Sequence, residues 1–239
     1  MENIILNTLK CFILLQLHFG VLAGGTVLLN KKFNMPGELY RKMLHIVSVF
    51  SIIPIVLPAT NWISAFLVCI IFMLEAYFGT KFSNLEKNVG MKQRKAGEQQ
   101  KSMIYLYSTY AVIVLFGWGI FKQPWIVVLS VIAWGIGDAV AALVGKRFGK
   151  HKLSGPMIEG TKSIEGSMGM FLSTFISVFI LYNRHTSLSN VGLVVLVCFW
   201  IAIFSSITEL FTQNGMDTVA CPLVAMTGFS VLTLVVGNI

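Results

Sequence analysis

Charged side chains are scarce in this chain of 239 residues, since Lys, Arg, Asp and Glu together make up 12% of it. Soluble domains contain about 25%. Acidic residues are the rarer sign, 10 against 18 basic ones. Hydrophobic residues supply 56%, and the mean hydropathy is +0.78. This balance excludes an ordinary soluble domain. Long apolar runs with the charges confined between them predict a polytopic helical membrane protein.

Several other signals are missing. The cysteines lack C-x-x-C spacing and histidine partners, which argues against a disulfide framework or a zinc site. Basic residues are spread over short loops without a basic domain, so we expect no nucleic-acid partner. The N-terminus shows neither a basic stretch before a short apolar core nor an A-x-A-like cleavage site. We therefore expect the first apolar segment to be a retained helix. The four cysteines are Cys11, Cys69, Cys198 and Cys221.

Eight apolar segments are long enough, or nearly so, to cross about 30 Å of hydrocarbon at about 1.5 Å per helical residue. The sequence therefore predicts an all-α polytopic transmembrane bundle of about eight helices, forming a single integral-membrane domain over residues 1–239. The second segment is short and bounded by prolines, so it is expected either to be tilted or to form a tight hairpin with the third across Ala59. The segments are 4–29, 43–58, 60–80, 104–121, 124–145, 166–183, 188–208 and 219–238.

The distribution of basic residues predicts the orientation. Connections 30–42, 80–103 and 146–165 hold four, six and five Lys/Arg, which is 15 of the 18 in the chain. The positive-inside rule makes their side cytoplasmic, with both termini outside. Without a recognisable transit peptide, the bacterial cytoplasmic membrane is the expected location. Connection 80–103 is expected to be a surface helix, a flap over the site, or a solvated basic loop at anionic lipid.

The central stretch 134–171 combines a buried acid with a basic, glycine-rich loop. Asp138 lies inside a hydrophobic run, where an ionisable group is costly to keep. The loop that follows has the composition needed to bind a metal-chelated polyphosphate, because lysines neutralise charge and glycines let backbone N–H groups approach phosphate oxygens. The alternative is an ordinary cytoplasmic loop. Its basic residues are Lys146, Arg147, Lys150, Lys152 and Lys162.

Small residues also recur along this central segment. They predict a helix face that another backbone can approach closely. They are Gly135, Gly137, Ala139, Ala142 and Gly145.

Two further polar groups lie at the predicted cytoplasmic ends of helices. Glu38, Arg41, Lys42 and His45 form E-x-x-R-K-x-x-H, whose three- and four-residue steps share one helical face. This group is either an interfacial cluster or part of a site. Glu75 is a second intramembrane acid, which either pairs with a lysine or arginine from a neighbouring helix end or has a direct catalytic role.

The last cytoplasmic connection, 209–218, contains Glu209 and Asp217 but no basic residue. Two acids around the turn signal Asn214-Gly215 predict either a second acidic half-site for metal or a plain turn. Every acid from Glu38 onward falls in the predicted cytoplasmic half. A channel or carrier would place such groups near the midplane. An enzyme acting on a cytosolic substrate and a lipid would place them as observed.

These blocks resemble the phytol kinase, dolichol kinase and CTP-dependent diacylglycerol kinase family, relatives of the phosphatidate cytidylyltransferases. The likeness spans residues 41–222. It departs from the family where Thr218, instead of Asn, follows Asp217, and the cytidylyltransferase signature is absent. The matching residues are Arg41-Lys42-x-x-His45, Gly137-Asp138, Gly145-Lys146-Arg147-Phe148-Gly149, Lys162-Ser163-x-Glu165-Gly166-Ser167, Glu209, Gly215-x-Asp217 and Pro222.

The resemblance implies transfer of a nucleotide γ-phosphoryl group, commonly from CTP, to a long-chain isoprenoid alcohol or diacylglycerol in the membrane. It implies Mg²⁺ on Asp138 and Asp217, with Glu165 or Glu209 assisting. Asp138 or His45 would accept the alcohol proton, with Lys42 beside the histidine. Groups implied to hold the nucleotide are Lys146, Arg147, Lys162, Ser163, and the backbone around Gly166 and Ser167.

Two alternatives stay open at this level, namely a cytidylyltransferase that makes a CDP-lipid and a lipid or metabolite transporter. The sequence carries no signal for the acceptor's tail, the donor's base or the oligomeric state.

Overall fold

The computed structural model describes residues 3–82, 98–185, 191–213 and 215–236. The described residues form eight helical stretches in the predicted order, and two isolated β-bridges are their only extended pairings. The all-α class is confirmed. The helices are α1 (Ile4–Phe33, with a π-helical segment at Phe19–Ala23), α2 (Gly37–Val56), α3 (Trp62–Phe82), α4 (Glu98–Ile113, continued by π-helical Val114–Ile120), α5 (Pro124–Phe148), α6 (Ile164–His185), α7 (Val191–Phe211) and α8 (Asp217–Val236).

Six of these helices are long and apolar enough to cross a membrane, within the described residues. Shorter apolar helices cover Trp62–Phe78 in α3 and Asp217–Val231 in α8. The protein is accordingly an integral membrane protein with a helical bundle. The count of eight spans stays a prediction, as do the orientation and the position of the termini.

Several helices run further into the connections than hydropathy alone predicts. Helix α2 begins at Gly37 instead of residue 43, with Pro36 at its N-cap and Glu38 in its first turn. Both residues favour a helix start, since proline fixes φ and an acid complements the helix dipole. Helix α5 ends at Phe148, beyond the predicted residue 145. Polar residues can extend a helix past the hydrocarbon, so an apolar window underestimates its length.

The chain divides into two compact units, Met1–Pro124 and Trp125–Ile239, each considered by itself below. The predicted single domain stays a prediction. In the first unit, the buried side chain of Asn7 on α1 hydrogen-bonds two backbone groups of the turn between α2 and α3. Its Nδ2 donates to the carbonyl of Pro58 at 3.3 Å, and its Oδ1 accepts from the N–H of Thr60 at 3.1 Å. Of the two expected arrangements, the structure has the tight turn.

A break in α2 is closed by hydroxyl groups of the same unit. Ser51 separates the segments Gly37–Phe50 and Ile52–Val56. Its Oγ donates to the carbonyl of Ser48 at 2.6 Å and lies 2.8 Å from the hydroxyl of Tyr107. Tyr110 donates to the carbonyls of Ser48 and Val49 at 3.1 Å. Backbone groups freed by a helix break need such partners in an apolar environment.

In the second unit, α5 is the most deeply buried helix, and α7 packs against α6 and α8. The predicted small-residue face is confirmed at two positions. A Cβ on Gly145 would lie 3.5 Å from the Cα of Gly166, and a Cβ on Gly137 would overlap the hydroxyl of Thr174. Glycine at these positions lets α5 and α6 approach closely. This contact brings the loop between the two helices against the end of α5.

Candidate functional site

The basic loop between α5 and α6 folds into a short hairpin. The N–H of Leu153 donates to the carbonyl of Lys162 at 3.0 Å, and the N–H of Ile164 donates to the carbonyl of His151 at 3.0 Å. Bridges pair Lys152 with Ser163 and Gly155 with Ile158. The paired backbone fixes the position of Lys162 next to the start of α6.

Ser163 caps the N-terminus of α6. Its buried Oγ accepts the N–H of Gly166 at 3.1 Å, and its carbonyl accepts the N–H of Ser167 at 3.0 Å. Serine commonly satisfies the free N–H groups of a first turn in this way. The two N–H groups expected to bind phosphate therefore already have partners within the protein. The Oγ of Ser167 is buried without a hydrogen-bond partner. Nucleotide binding by these residues stays a prediction.

The close approach of this capped turn to α5 depends on Gly149. A Cβ at this position would overlap the carbonyl oxygen of Gly145, and it would also lie 2.7 Å from the Oγ of Ser163. Because the first of these contacts is with backbone, side-chain rotation alone cannot relieve it. Only glycine fits here without a shift of the chain.

Glu165 fastens the hairpin to α6. Its carboxylate lies 2.7 Å from Nδ1 of His151 and accepts the N–H of the same residue at 3.2 Å. The imidazole is 73% exposed and the glutamate side chain 24%. In this structure the contacts of Glu165 are therefore those of a loop anchor. Its expected role in assisting a metal stays a prediction.

Lys162 and Glu209 form a largely buried ion pair across the loop and α7. The ammonium group of Lys162 contacts Oε1 of Glu209 and donates to the backbone carbonyl of Glu209 at 3.0 Å. The side chains are 18% and 6% exposed. Desolvating two charges is costly, so this geometry requires both partners. The pair joins two residues that the sequence places 47 positions apart.

The second unit also gathers the other predicted acids around one point. The buried thiol of Cys221, on α8, lies close enough to interact electrostatically with four charged groups of the unit. Asp138 reaches this environment from α5, with 9% of its surface exposed. These four groups are Asp138, Glu209, Asp217 and Lys162. Three helices and the hairpin thus place three carboxylates and one ammonium group within electrostatic range of one thiol, and the Lys162–Glu209 pair among them is in direct contact.

The turn between α7 and α8 positions Asp217. Gly215 has φ +81°, a left-handed conformation that glycine adopts without strain, and the helix begins two residues later. The predicted turn is confirmed at this glycine, while Asn214 lies outside the described residues. Asp217 thereby occupies the first turn of α8.

Lys146 and Arg147 occupy the last turn of α5 and are exposed. The guanidinium of Arg147 lies 5.3 Å from the ring centroid of Phe148. Cations at this end of a helix interact favourably with its dipole, and their exposure leaves them accessible to a soluble anion. The predicted role of the basic connection 80–103 is untested, because residues 83–97 lie outside the described residues.

A divalent cation such as Mg²⁺ needs several oxygen ligands around one point. Among the described residues, no three His, Cys, Asp or Glu side chains converge to enclose a metal by themselves. Mg²⁺ is nevertheless commonly held by one or two carboxylates plus substrate phosphates. Asp138 and Asp217 supply carboxylates of the right chemistry, so the residues fit a magnesium site completed by a nucleotide.

The N-terminal unit carries the remaining predicted residues. Glu38 and Arg41 form an ion pair at 2.5 Å on α2, and Lys42 is buried with 8% exposure. His45 lies one turn further along the same helix, so the one-face prediction agrees with the helix found. The proton-acceptor role of His45 and the role of Lys42 stay predictions.

Among the residues that the structure describes, the partner found for Glu75 is an amide instead of the expected lysine or arginine. Nε2 of Gln16 donates to Oε2 of Glu75 at 2.7 Å. A neutral amide adds no second charge to the membrane interior, and it hydrogen-bonds the carboxyl group directly.

The sequence analysis did not connect Ser205 or Cys221 with the candidate site. Ser205 is fully buried, its Oγ has no hydrogen-bond partner, and its carbonyl oxygen lies 3.8 Å from the sulfur of Cys221. A usable signal existed, because Ser205 lies four residues before Glu209 and Cys221 four after Asp217. Such spacing puts each residue on the same helix face as its acid.

Comparison with known proteins bears on the resemblance. The chain is similar to a phytol kinase from Synechocystis sp., with 26% identity over 209 residues, which cover 86% of the chain and 84% of that protein. It is also similar to the dolichol kinase sec59 of Schizosaccharomyces pombe, with 32% identity over 90 residues, which cover 38% of the chain but 16% of that protein. No family model matches the chain. No solved structure matches it either.

The resemblance to the polyprenol kinase family is therefore confirmed. Relatives named as kinases, together with the six apolar helices, support a membrane-embedded lipid kinase.

Proposed function

We propose that this protein transfers the γ-phosphoryl group of CTP to the hydroxyl of a long-chain isoprenoid alcohol at the membrane surface. The buried Lys162–Glu209 ion pair carries this proposal, with Asp138 and Asp217 within electrostatic range of the same thiol. The two similar proteins are named for phytol and dolichol, both long isoprenoid alcohols. An acidic cluster beside a lysine and a basic loop has the chemistry to bind a nucleotide triphosphate with Mg²⁺.

In this proposal, Asp138 and Asp217 hold Mg²⁺ together with the nucleotide phosphates, and Glu165 or Glu209 assists. When bound, the ion would neutralise phosphate charge. Lys146 and Arg147, which are exposed at the end of α5, bind phosphate oxygens. The ammonium group of Lys162 has three N–H donors, so it would bind a phosphate oxygen while keeping its contact with Glu209.

The alcohol must also lose its proton. A carboxylate or a neutral imidazole within hydrogen-bond reach can accept it. Asp138 and His45 both remain candidates for this role, and Lys42 lies one turn before the histidine.

The test uses purified protein in detergent with MgCl₂ and γ-labelled CTP, ATP or UTP. The acceptors are phytol, geranylgeraniol, farnesol, undecaprenol and diacylglycerol. We expect label in an isoprenyl phosphate with CTP, lost in Asp138→Asn and retained in the matched loop variant Glu159→Gln. Pyrophosphate release with phosphatidate would instead identify a cytidylyltransferase. Movement of a lipid across vesicles without nucleotide turnover would identify a transporter. Either result would overturn the proposal.

A further inference from the structure

One face of α7 presents a continuous row of exposed apolar side chains. Each is between 47% and 54% exposed, and the steps of three and four residues keep them on one face. The rings of Trp200 and Phe204 stack with their centroids 5.8 Å apart. In a membrane protein such a face contacts lipid chains. The row consists of Leu196, Trp200, Phe204, Ile207 and Phe211, and we call it the α7 stripe.

The α7 stripe ends in a cleft. Phe211 is the last residue of α7 and also one wall of an open cavity of about 350 Å³. The other walls come from the tip of the hairpin and from the turn before α8. Pockets for small ligands begin at about 300 Å³, so the cleft has room for one end of a long molecule. Its lining is Pro156, Met157, Phe211, Thr212, Gln213 and Met216.

The cleft adjoins the buried ion pair. Oγ1 of Thr212 donates to the backbone carbonyl of Glu209 at 3.1 Å, and this carbonyl also accepts from the ammonium group of Lys162 at 3.0 Å. Thr212, which lines the cleft, and the Lys162–Glu209 pair are therefore joined through one oxygen atom. The α7 stripe thus ends at a cleft whose Thr212 shares a backbone carbonyl with the ammonium group of Lys162.

The chemistry of the lining favours a lipid over a nucleobase. Four of the six lining residues are apolar. The thioethers of Met157 and Met216 are flexible and adapt to irregular chains. A base would require several convergent polar groups. The cleft offers Thr212, whose hydroxyl is already engaged by Glu209, and Gln213. The occupant that matches an apolar path with one polar end is an alcohol with a long hydrocarbon tail.

We propose that the isoprenoid chain of the acceptor lies along the α7 stripe and enters the cleft between Met157, Phe211 and Met216. Its hydroxyl end then reaches the Lys162–Glu209 pair. This inference rests on the proposed kinase function and adds to it the path of the lipid. It assigns Phe211 and Met157 to acceptor recognition, with no part in nucleotide binding.

Steady-state kinetics of Phe211→Ala and Met157→Gln test this path, with Leu172→Ala as the control. Leu172 is a comparably exposed apolar residue (50%) on α6. We expect the KM for geranylgeraniol to rise about tenfold in the cleft variants, equivalent to about 1.4 kcal/mol, while the KM for nucleotide and kcat stay unchanged. The control should match the unmodified protein. An unchanged KM for the alcohol, or a raised KM for the nucleotide, would overturn the inference.

Photocrosslinking of the unmodified protein makes the test independent of variant folding. Geranylgeraniol carrying a diazirine next to its hydroxyl end is irradiated with the protein, and labelled peptides are mapped by mass spectrometry. We expect label within 156–157 and 211–216, reduced by excess unlabelled alcohol. Label confined to other helices would contradict the proposed path even if kinase activity is present. Absent phosphoryl transfer with label in the cleft would refute the kinase and keep the lipid site.

Discussion

Breaking the Lys162–Glu209 pair should show how strongly the site is coupled to folding. Removing one partner of a buried ion pair leaves an uncompensated charge and costs about 3–5 kcal/mol, whereas replacing both by apolar residues can be close to neutral. We therefore expect Lys162→Met and Glu209→Met each to destabilise the protein, and the double variant to be more stable than either. Both side chains are largely buried, at 18% and 6% exposure, so salt should weaken this coupling little.

The structure also ranks the two single variants. Without Lys162, the carboxylate of Glu209 is left with Asp138 and Asp217 near the same thiol. Without Glu209, the other charges that share the surroundings of Cys221 with Lys162 are two carboxylates. Lys162→Met should therefore be the more destabilising change.

The assay is equilibrium unfolding in mixed detergent–SDS micelles, followed by circular dichroism. The coupling free energy of the pair is the unfolding free-energy change of the double variant minus the changes of the two single variants. The free-energy changes of substitutions at distant, independent sites add within about 0.5 kcal/mol. If the two single-variant losses add up to the loss of the double variant within about 0.5 kcal/mol, the reasoning is refuted. A larger loss for Glu209→Met than for Lys162→Met would also refute it.

Three further predictions concern packing and buried polar groups, with unfolding free energy in mixed micelles as the common measurement. Gly149→Ala forces a Cβ onto a backbone carbonyl and should lower the unfolding free energy by about 1–3 kcal/mol. The control Gly160→Ala, whose Cβ meets nothing within 4 Å, should change it by less than about 0.5 kcal/mol. Equal effects of the two substitutions would contradict the packing argument. Asn7→Ala leaves two turn groups unpaired and should cost about 1–3 kcal/mol, and a loss no greater than that of exposed Leu6→Ala would exclude this bridge. Ser205→Ala removes a buried hydroxyl without a partner and should leave stability unchanged or raised, so a clear loss would mean that the hydroxyl is bonded.

Local patterns in the sequence were enough to predict the order and type of the helices. An apolar run of about twenty residues has few options in lipid other than a helix. The interruption at Ser51 and the start of α2 at Gly37 were less accessible. The interruption depends on hydroxyl partners from α4, and the start of α2 depends on Glu38 in its first turn, which no hydropathy window measures.

The candidate site was predicted in its composition and only partly in its contacts. Asp138, Lys162, Glu209 and Asp217 were singled out by charge in an apolar chain, and the fold places all four within electrostatic range of Cys221. That Ser163 caps α6 and Glu165 binds His151 could not be read from spacing, because both contacts depend on how the hairpin folds back.

The sequence by itself determined that this chain is helical, lies in a membrane and concentrates its ionisable groups near a basic glycine-rich loop. Those properties follow from local composition, since the cost of burying a charge or a free backbone group applies wherever the residue stands. Only the tertiary structure decided that Lys162 pairs with Glu209, and that the exposed face of α7 ends in a cleft beside them. Pairing across 47 residues depends on the close approach of α5 and α6 through their glycines, and helix packing is a property of the whole fold.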